Sequence, residues 1–374
     1  MVYKLGDLLE QITETNSDLK YGLDDIVGVT INKEMIPTIA NLNNTDLSKF
    51  NIIRKHDFIY NPRTHGKKIG LGYNKENRNF ISTWNNNSFR IKNDKKNIIN
   101  PDYLYLYFCG DNWDKEACFN AWGSSTVVLL WENFCNMTID LPDINIQNKI
   151  VEQYNIIIDR IKVLNELNDE LFHLLQTNFK YFIHSTDNLC HYTLSDFCNF
   201  QEGYVNPPQE NTEYFDGNIK WLRAGDVNES YIISTERTLT EKGFKSAKKS
   251  AILFKPHTFA ITKSGVIGRL GIIDDYMCGN RAVINIMPKD ERYFSFVYLI
   301  LREKQKEMIQ LATGSAQKNL YVSMLESIGF DAPIIEELIT FNNKVIRIFN
   351  KIELNCKEKY NLEKIIKGYF YNII

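Results

Sequence analysis

The segment Tyr3-Lys-Leu-Gly-Asp7 returns 189 residues later as Tyr192-Thr-Leu-Ser-Asp196, so the chain contains an internal repeat. Further matches follow in the same order at offsets of 201 and 191. They pair His56-Asp-Phe58 with His257-Thr-Phe259, Lys68-Ile-Gly70 with Arg269-Leu-Gly271, Gly123-Ser124 with Gly314-Ser315, and Leu141-Pro142 with Ala332-Pro333. A shared order with changing offsets predicts two similar domains that differ by loop insertions. Two similar surfaces fit a ligand that itself repeats, and duplex DNA is the commonest ligand of this kind.

The composition is that of a globular protein, and its 374 residues suffice for two domains of roughly 150 residues each. No stretch approaches the ~18 apolar residues that span a bilayer, and the first residues lack a signal-peptide pattern. We therefore expect a cytoplasmic protein with no membrane partner.

The net charge of −2 does not by itself indicate a nucleic-acid binder, but basic residues cluster in corresponding parts of both halves. The clusters are Arg63, Lys67, Lys68, Lys75 and Arg78 in the first half, and Lys242, Lys245, Lys248, Lys249, Lys263 and Arg269 in the second. Each cluster alone is compatible with a solvated loop. Their recurrence makes a pair of anion-binding surfaces an equal alternative.

The seven cysteines include no C-x-x-C pair, and a chain of this length does not need disulfide bonds for stability. We expect them to be reduced residues of the core. Cys190, His191 and Cys198 lie close in sequence but lack the spacing of a zinc site. We expect neither a metal nor a cofactor in this chain.

Two segments, residues 144–184 and 334–374, have the periodicity of long helices. Positions spaced alternately by four and three residues form a seam in each segment, and eight of the ten positions are apolar in both. The first seam contains Ile150, Tyr154, Ile157, Ile161, Leu164, Asn168, Leu171, Leu175, Asn178 and Phe182; the second contains Phe341, Val345, Ile348, Ile352, Asn355, Lys359, Leu362, Ile366, Tyr369 and Ile373. Helices of this length reach about 60 Å, farther than one small domain, so we predict an antiparallel coiled coil. Packing of each helix on its own domain is the alternative.

The remaining segments predict an α+β fold for each domain. Residues 58–61 and 258–262 have the pattern of strands, and residues 103–108 and 294–300 that of buried helices. Loops rich in glycine and basic residues are predicted at 61–68 and 263–269. Two further loops, at 121–126 and 312–318, combine glycine with small hydroxyl side chains and suit contact with phosphates or base edges.

With this order of elements, the whole chain resembles the DNA-specificity (S) subunits of Type I restriction-modification systems. The most telling segments are Lys263-Ser-Gly-Val-Ile-Gly-Arg-Leu-Gly271, Thr313-Gly-Ser-Ala-Gln-Lys-Asn-Leu320 and Leu141-Pro-Asp-Ile-Asn-Ile-Gln-Asn-Lys-Ile-Val151. The first half departs from this pattern, because Gly123-Ser-Ser-Thr-Val127 lacks the Gln and Lys of the second copy.

The resemblance implies a non-catalytic subunit that recognises a bipartite, asymmetric target on double-stranded DNA. It also implies docking of two methyltransferase (modification) subunits, which use S-adenosylmethionine to methylate adenine. Restriction subunits, carrying an ATP-driven translocase and nuclease, are a further partner whose presence is left open.

Under this interpretation the target-recognition domains are residues 1–143 and 189–333, and the spacer helices are residues 144–184 and 334–374. The candidate DNA-binding residues are Arg63, Lys67, Lys68, Ser124, Ser125, Lys263, Arg269, Ser315, Gln317 and Lys318. If Lys263 touches a phosphate, Lys263→Ala will weaken binding and flatten its dependence on salt.

Two alternatives belong to other functional classes. Asn206-Pro-Pro-Gln209 is similar to the Asn-Pro-Pro-aromatic motif of amino-methyltransferases, but it lacks the aromatic residue and a glycine-rich cofactor loop. A stand-alone DNA modification enzyme is therefore disfavoured, as is a nucleophilic role for Ser124 or Ser315, since no histidine is within sequence reach. A protein scaffold that functions through its coiled coil is the second alternative.

Overall fold

The repeat in the sequence is also a repeat of structure in the computed structural model. By its internal contacts the chain divides into two units, one of Met1–Arg160 with the chain from Leu362 onward, and one of Ile161–Asn361. The described residues are 1–38, 45–65, 67–122, 127–186, 188–313 and 318–371.

Within the described residues, the first unit contains ten strands, four short α-helices, three single turns of 3-10 helix and the start of a long α-helix. In chain order the strands and α-helices are β1 Val2–Lys4, α1 Leu5–Leu8, β2 Leu9–Gln11, β3 Val27–Val29, β4 Met35–Pro37, β5 Asn51–Ile53, β6 Phe58–His65, β7 Lys68–Tyr73, β8 Phe80–Ser82, β9 Asn87–Ile91, α2 Pro101–Cys109, α3 Asp111–Phe119, α4 Trp131–Asn136, β10 Thr138–Asp140 and α5 Ile144–His184. Helix α5 continues into the second unit.

The second unit repeats this series with an additional segment of strands. Its elements are β11 Cys190–Thr193, α6 Leu194–Phe197, β12 Cys198–Glu202, β13 Phe215–Leu222, β14 Tyr231–Ile232, β15 Thr238–Leu239, α7 Glu241–Lys245, β16 Leu253–Phe254, β17 Phe259–Thr262, β18 Leu270–Ile273, β19 Met277–Gly279, β20 Val283–Pro288, α8 Phe294–Glu303, α9 Gln305–Leu311, α10 Val322–Glu326, β21 Gly329–Ala332 and α11 Ile335–Ile365. A π-helical segment, Ile366–Phe370, follows α11 in the first unit.

The main sheets of the two units have the same strand order. It is β2-β9-β6-β7 in the first unit and β12-β20-β17-β18 in the second, where β14 adds a fifth strand. Core positions repeat as well, because Leu129 and Leu320 are both fully buried, as are Phe58 and Phe259. Two pseudo-repeated α+β domains are therefore confirmed, and so are the strands and the buried helices α2 and α8 that the sequence predicted.

The start of α5 follows from its sequence. The Asp143 side chain accepts a hydrogen bond from the Asn145 N–H at 2.8 Å, which caps the helix after Pro142. The buried Gln147 amide donates to the carbonyls of Pro142 and Ile98 at 2.9 Å. The first turn is thereby fixed to the domain that precedes it.

The two long helices pair antiparallel within the second unit. Phe182 stacks on Phe341 with ring centroids 4.5 Å apart, and the Asn355 amide donates to the Asn168 carbonyl oxygen at 2.8 Å. Residue numbers rise along α11 as those of their contact partners on α5 fall, so the two helices run in opposite directions. In the first unit, Tyr154 meets Phe370 edge-on at 5.4 Å. The predicted helix pairing is confirmed.

Both helices also pack on the domain of the second unit. Phe179 lies 6.0 Å from Phe296, and Phe349 lies 5.4 Å from Tyr298, measured between ring centroids. The sequence analysis treated helix pairing and packing on a domain as alternatives, but in the second unit both occur together.

The seam departs from the predicted positions toward the helix ends. Asn178 is exposed and Phe179 is buried, and Tyr369 is exposed where Phe370 is buried. An α-helix advances 3.6 residues per turn, so a strict 3.5-residue repeat drifts off the buried face over several turns. Ile373 lies outside the described residues.

The cysteines are free thiols. Burial raises the pKa of Cys198 and of Cys278 to about 12, which keeps both protonated and unreactive at neutral pH. The expectation of a core position is wrong for Cys190, which is exposed at the start of β11. Within the described part of the chain, no helix is both long enough and apolar enough to cross a bilayer.

Candidate nucleic-acid interface

In the first unit, the tip of the β6–β7 hairpin lies beside the segment that flanks the first Gly-Ser loop. The Thr64 N–H donates to the Val127 carbonyl at 3.1 Å, and the Leu129 N–H donates to the Pro62 carbonyl at 2.8 Å. Val128 forms an antiparallel bridge with Arg63 on one side and with Trp122 on the other. Two segments that are far apart in sequence, the end of β6 and residues 127–129, therefore share one edge of the unit.

The second unit has the same arrangement at the tip of the β17–β18 hairpin. The Leu320 N–H donates to the Lys263 carbonyl at 3.0 Å, and Thr313 pairs with Asn319 across the base of the second Gly-Ser loop. The Lys263 N–H donates to the Ala282 carbonyl at 2.8 Å. Both units thus place a basic hairpin tip next to the residues that flank a Gly-Ser segment of the sequence, and we call this edge the tip surface of each unit.

The prediction of a loop at residues 61–68 is wrong. Strand β6 continues to His65 after a register shift between Tyr60 and Thr64, and Arg63 lies in the strand opposite Val128. The pairing with Val128 stabilises an extended backbone that the Pro and Gly nearby did not predict. The loop at 263–269 is confirmed.

Glycine is required in that second loop. Gly265 and Gly268 have φ values of 76° and 84°, in the left-handed region that side chains disfavour. A Cβ atom on Gly268 would lie 2.4 Å from Cγ1 of Ile309. The turn that presents Arg269 therefore depends on both glycines.

The basic residues among the candidate DNA contacts differ in exposure and in whether another side chain pairs with their charge. Arg63 and Lys67 are exposed, and within the described residues no side-chain partner holds either cation. Lys68 lies 3.5 Å from Asp111, and both side chains are about half exposed, so this pair is weak. Lys318 is exposed and the guanidinium of Arg269, which is half-buried, likewise has no partner in the described part of the chain.

Lys263 differs from the other candidates because its ammonium is already paired. Its Nζ lies 2.8 Å from Oε1 of Glu202, and the two side chains are 15% and 21% exposed. A phosphate at this point would compete with Glu202. Ser124, Ser125, Ser315 and Gln317 lie outside the described residues.

Several other members of the predicted basic clusters are engaged within their own unit. Lys75 lies over the Tyr105 ring at 4.6 Å, Arg78 pairs with Asp25 at 2.6 Å, and Lys242 pairs with Glu213 at 2.7 Å. These contacts satisfy the cations locally. The exposed charges near the tip surfaces are the better candidates for an anion.

A buried ion pair supports the tip surface of the first unit. Lys33 and Asp114 are 2.6 Å apart and only about 5% exposed, and Asp114 also accepts the Ile69 N–H at 3.0 Å. Lys33 donates to the Ile69 carbonyl at 2.7 Å. Ile69 follows Lys68 in β7, so this pair holds the strand next to the tip. The sequence offered no signal for it.

The segment Asn206-Pro-Pro-Gln209 forms a loop with a structural role. The Trp221 indole donates to the Val205 carbonyl at 2.7 Å, and Gln209 accepts from Arg237 at 2.5 Å. The guanidinium of Arg237 lies 3.9 Å from the Phe215 ring centroid. Gln209 thus orients an arginine rather than stacking on a base.

Comparison with known proteins identifies the family. The family model for the Type I restriction modification DNA specificity domain matches residues 1–173 and 188–364. The Type I restriction enzyme MjaIX specificity subunit of Methanocaldococcus jannaschii is 28% identical over 175 residues, which are 46% of this chain and 40% of that protein. The Type I restriction enzyme HindI specificity subunit of Haemophilus influenzae is 26% identical over 163 residues, 42% of this chain and 35% of that protein.

These alignments span less than half the length of the curated relatives. The fold resembles that of the Type-I restriction-modification system S subunit from M. genitalium, with a TM-score of 0.55 at 14% identity, over 99% of this chain and 95% of that one. Since the family model matches most of the chain in two consecutive copies, the protein belongs to the Type I restriction modification DNA specificity family.

Proposed function

We propose that this chain is the non-catalytic DNA-recognition subunit of a Type I restriction-modification complex, with recognition domains at residues 1–143 and 189–333. The observation that carries the proposal is the repeated tip surface, in which a hairpin lies beside the residues that flank a Gly-Ser segment in each unit. Four cations at this surface have no side-chain partner among the described residues and supply charge for phosphates: Arg63 and Lys67 in one unit, and Arg269 and Lys318 in the other.

A bipartite, asymmetric target is the form of recognition that we infer. The two units share a scaffold but carry different side chains at the tip, so their half-sites differ. The 41-residue helix α5 has no Pro or Gly at which it would kink, which supports a fixed spacing between half-sites. Half-sites that face the same side of the duplex lie one or more turns of about 34–36 Å apart.

We assign to partner subunits the chemistry that family membership implies. Two modification subunits dock on this chain and methylate adenine with S-adenosylmethionine, and restriction subunits with an ATP-driven translocase and nuclease join in complexes that cleave. In this proposal the chain contributes recognition of the DNA target, and it contributes no catalytic group.

The deciding experiment is to map methylated bases in cells with and without this gene. We expect one split motif to lose methylation when the gene is deleted and to regain it on complementation. An unchanged methylation map with the modification genes intact would contradict the proposal. Methyl transfer by the purified chain alone would support a stand-alone enzyme, and absence of any target preference in the complete complex would support a protein scaffold.

The Lys263–Glu202 pair gives a prediction for the second tip surface. If Lys263 contacts a phosphate, Glu202→Gln frees its ammonium, and we expect tighter binding with a salt slope steeper by up to about one unit. Lys263→Ala is expected to weaken binding and to flatten the slope. Both are measured by titrating duplex DNA with the complete complex at several salt concentrations.

Comparison of the two variants distinguishes a phosphate contact of Lys263 from a purely structural ion pair. A purely structural ion pair predicts that Glu202→Gln and Lys263→Ala lower the stability of the chain alike and leave the salt slope unchanged. That result would reject the phosphate contact.

A further inference from the structure

Two large aromatic side chains are exposed beside the tip surface of the first unit. Phe119, at the end of α3, is 86% exposed, and Trp122 is 75% exposed. A single exposed apolar side chain is common, whereas two large aromatic ones exposed close together form the kind of apolar patch that marks a binding site. Phe119 lies outside the loops that the sequence suggested for DNA contact, and Trp122 lies in the predicted loop at 121–126 but is not one of the candidate DNA-binding residues.

The backbone holds Trp122 in a defined position. Its N–H and carbonyl both bond to Val128, at 3.1 and 3.0 Å, and Val128 lies opposite Arg63 on its other side. Residues directly opposite one another in antiparallel pairs project from the same face. The side chains of Trp122, Val128 and Arg63 therefore share one face, with the outer two backbones about 10 Å apart.

The second unit shares two of these backbone pairings, with different side chains. Thr313 takes the place of Trp122 and pairs with Asn319 at 3.1 and 2.7 Å. The Lys263 carbonyl accepts from Leu320 as the Pro62 carbonyl does from Leu129, so Ser264 takes the place of Arg63. An aromatic and cationic face in one unit is thus small and polar in the other.

We propose that Trp122, flanked by Arg63, is a specificity-determining contact of the first unit with the bases of its half-site. This inference rests on the proposed function and deepens it. The indole offers an apolar face for base edges such as thymine methyls, or for an opened base step, while Arg63 and Lys67 meet the backbone or guanine.

The difference between the units favours DNA over a protein as the occupant of this face. Two copies of one partner protein would dock on surfaces that are alike in both units, whereas two half-sites of unlike sequence require unlike surfaces. The cation of Arg63 on the same face, which no side chain of the described residues pairs with, also suits a polyanion.

The test uses the complete complex of this chain with its modification subunits. Binding and methylation are measured on the target duplex and on duplexes with single base changes in each half-site. For Trp122→Thr we expect about tenfold loss of discrimination at one half-site and none at the other. Trp122→Phe restores part of the loss, and the reciprocal Thr313→Trp changes the preference at the opposite half-site.

Trp84→Thr is the matched control. Trp84 is 55% exposed in the same unit but lies in the loop after β8, and we expect its replacement to leave discrimination at both half-sites unchanged. Unaltered discrimination by Trp122→Thr would overturn the inference, as would a loss of modification-subunit binding in the absence of DNA. A wild-type complex without any sequence preference would instead reject the proposed function.

Discussion

Asp114→Ala is expected to lower the free energy of unfolding by about 3–5 kcal/mol, because it leaves the Lys33 ammonium buried without its counter-charge. Lys33 and Asp114 are 4% and 5% exposed, and Asp114 also accepts the Ile69 N–H. The Trp113 ring, 4.7 Å from Nζ of Lys33, does not replace a carboxylate. Denaturant unfolding of the purified chain measures the loss.

Asp111→Ala is the control on the same helix. Asp111 is 63% exposed and pairs with Lys68 at 3.5 Å, so its removal is expected to cost less than about 1 kcal/mol. The double variant Lys33→Met with Asp114→Leu removes both charges and is expected to recover most of the stability. Equal losses from Asp114→Ala and Asp111→Ala would contradict our account of the buried pair.

The same pair predicts a dependence on pH. Burial lowers the pKa of Lys33 below its ordinary value, while the hydrogen bond that its ammonium donates to Asp114 raises it. In Asp114→Ala the raising contribution is lost, so between the lowered pKa and about 10.4 the unfolded chain binds more protons than the folded one. Stability of the variant is therefore expected to increase as pH rises through this window. A pH-independent difference from wild type would contradict the assignment to Lys33.

Phe341→Ala is expected to cost about 3–5 kcal/mol in the second unit, since it removes a buried ring from the helix pair. Phe341 is 4% exposed, stacks on Phe182 at 4.5 Å and lies 5.9 Å from Phe179. A fall in the melting temperature of the chain, followed by circular dichroism, measures the effect.

Leu354→Ala, on the same helix, provides the comparison. Leu354 is 62% exposed, and its truncation is expected to change stability by less than about 0.5 kcal/mol. If both variants melt at the same temperature, the pairing of α5 with α11 does not contribute to stability as we describe.

The sequence alone determined the repeat, the α+β class and the two long helices. Each depends on local information: matching segments at 189, 191 and 201 residues, apolar periodicity, and the helix start after Pro142. The predicted seam is correct near Asn168 and Asn355, which are hydrogen-bonded to each other. It is less accurate toward Asn178, because positions repeating every 3.5 residues move off the buried face of an α-helix with 3.6 residues per turn. Family motifs extended this to the class of function.

Only the tertiary structure decided which side chains are free to meet a ligand. Lys263 is as basic in sequence as Lys67, but Glu202, 61 residues away, neutralises it in the fold. Three further features depend likewise on distant segments meeting: the contact of the hairpin tips with the residues that flank the Gly-Ser segments, the burial of Lys33 with Asp114, and the exposure of Trp122. Periodicity specifies which face of an element is apolar, whereas the neighbour across that face is set by folding, and charge pairing and exposure follow from that neighbour.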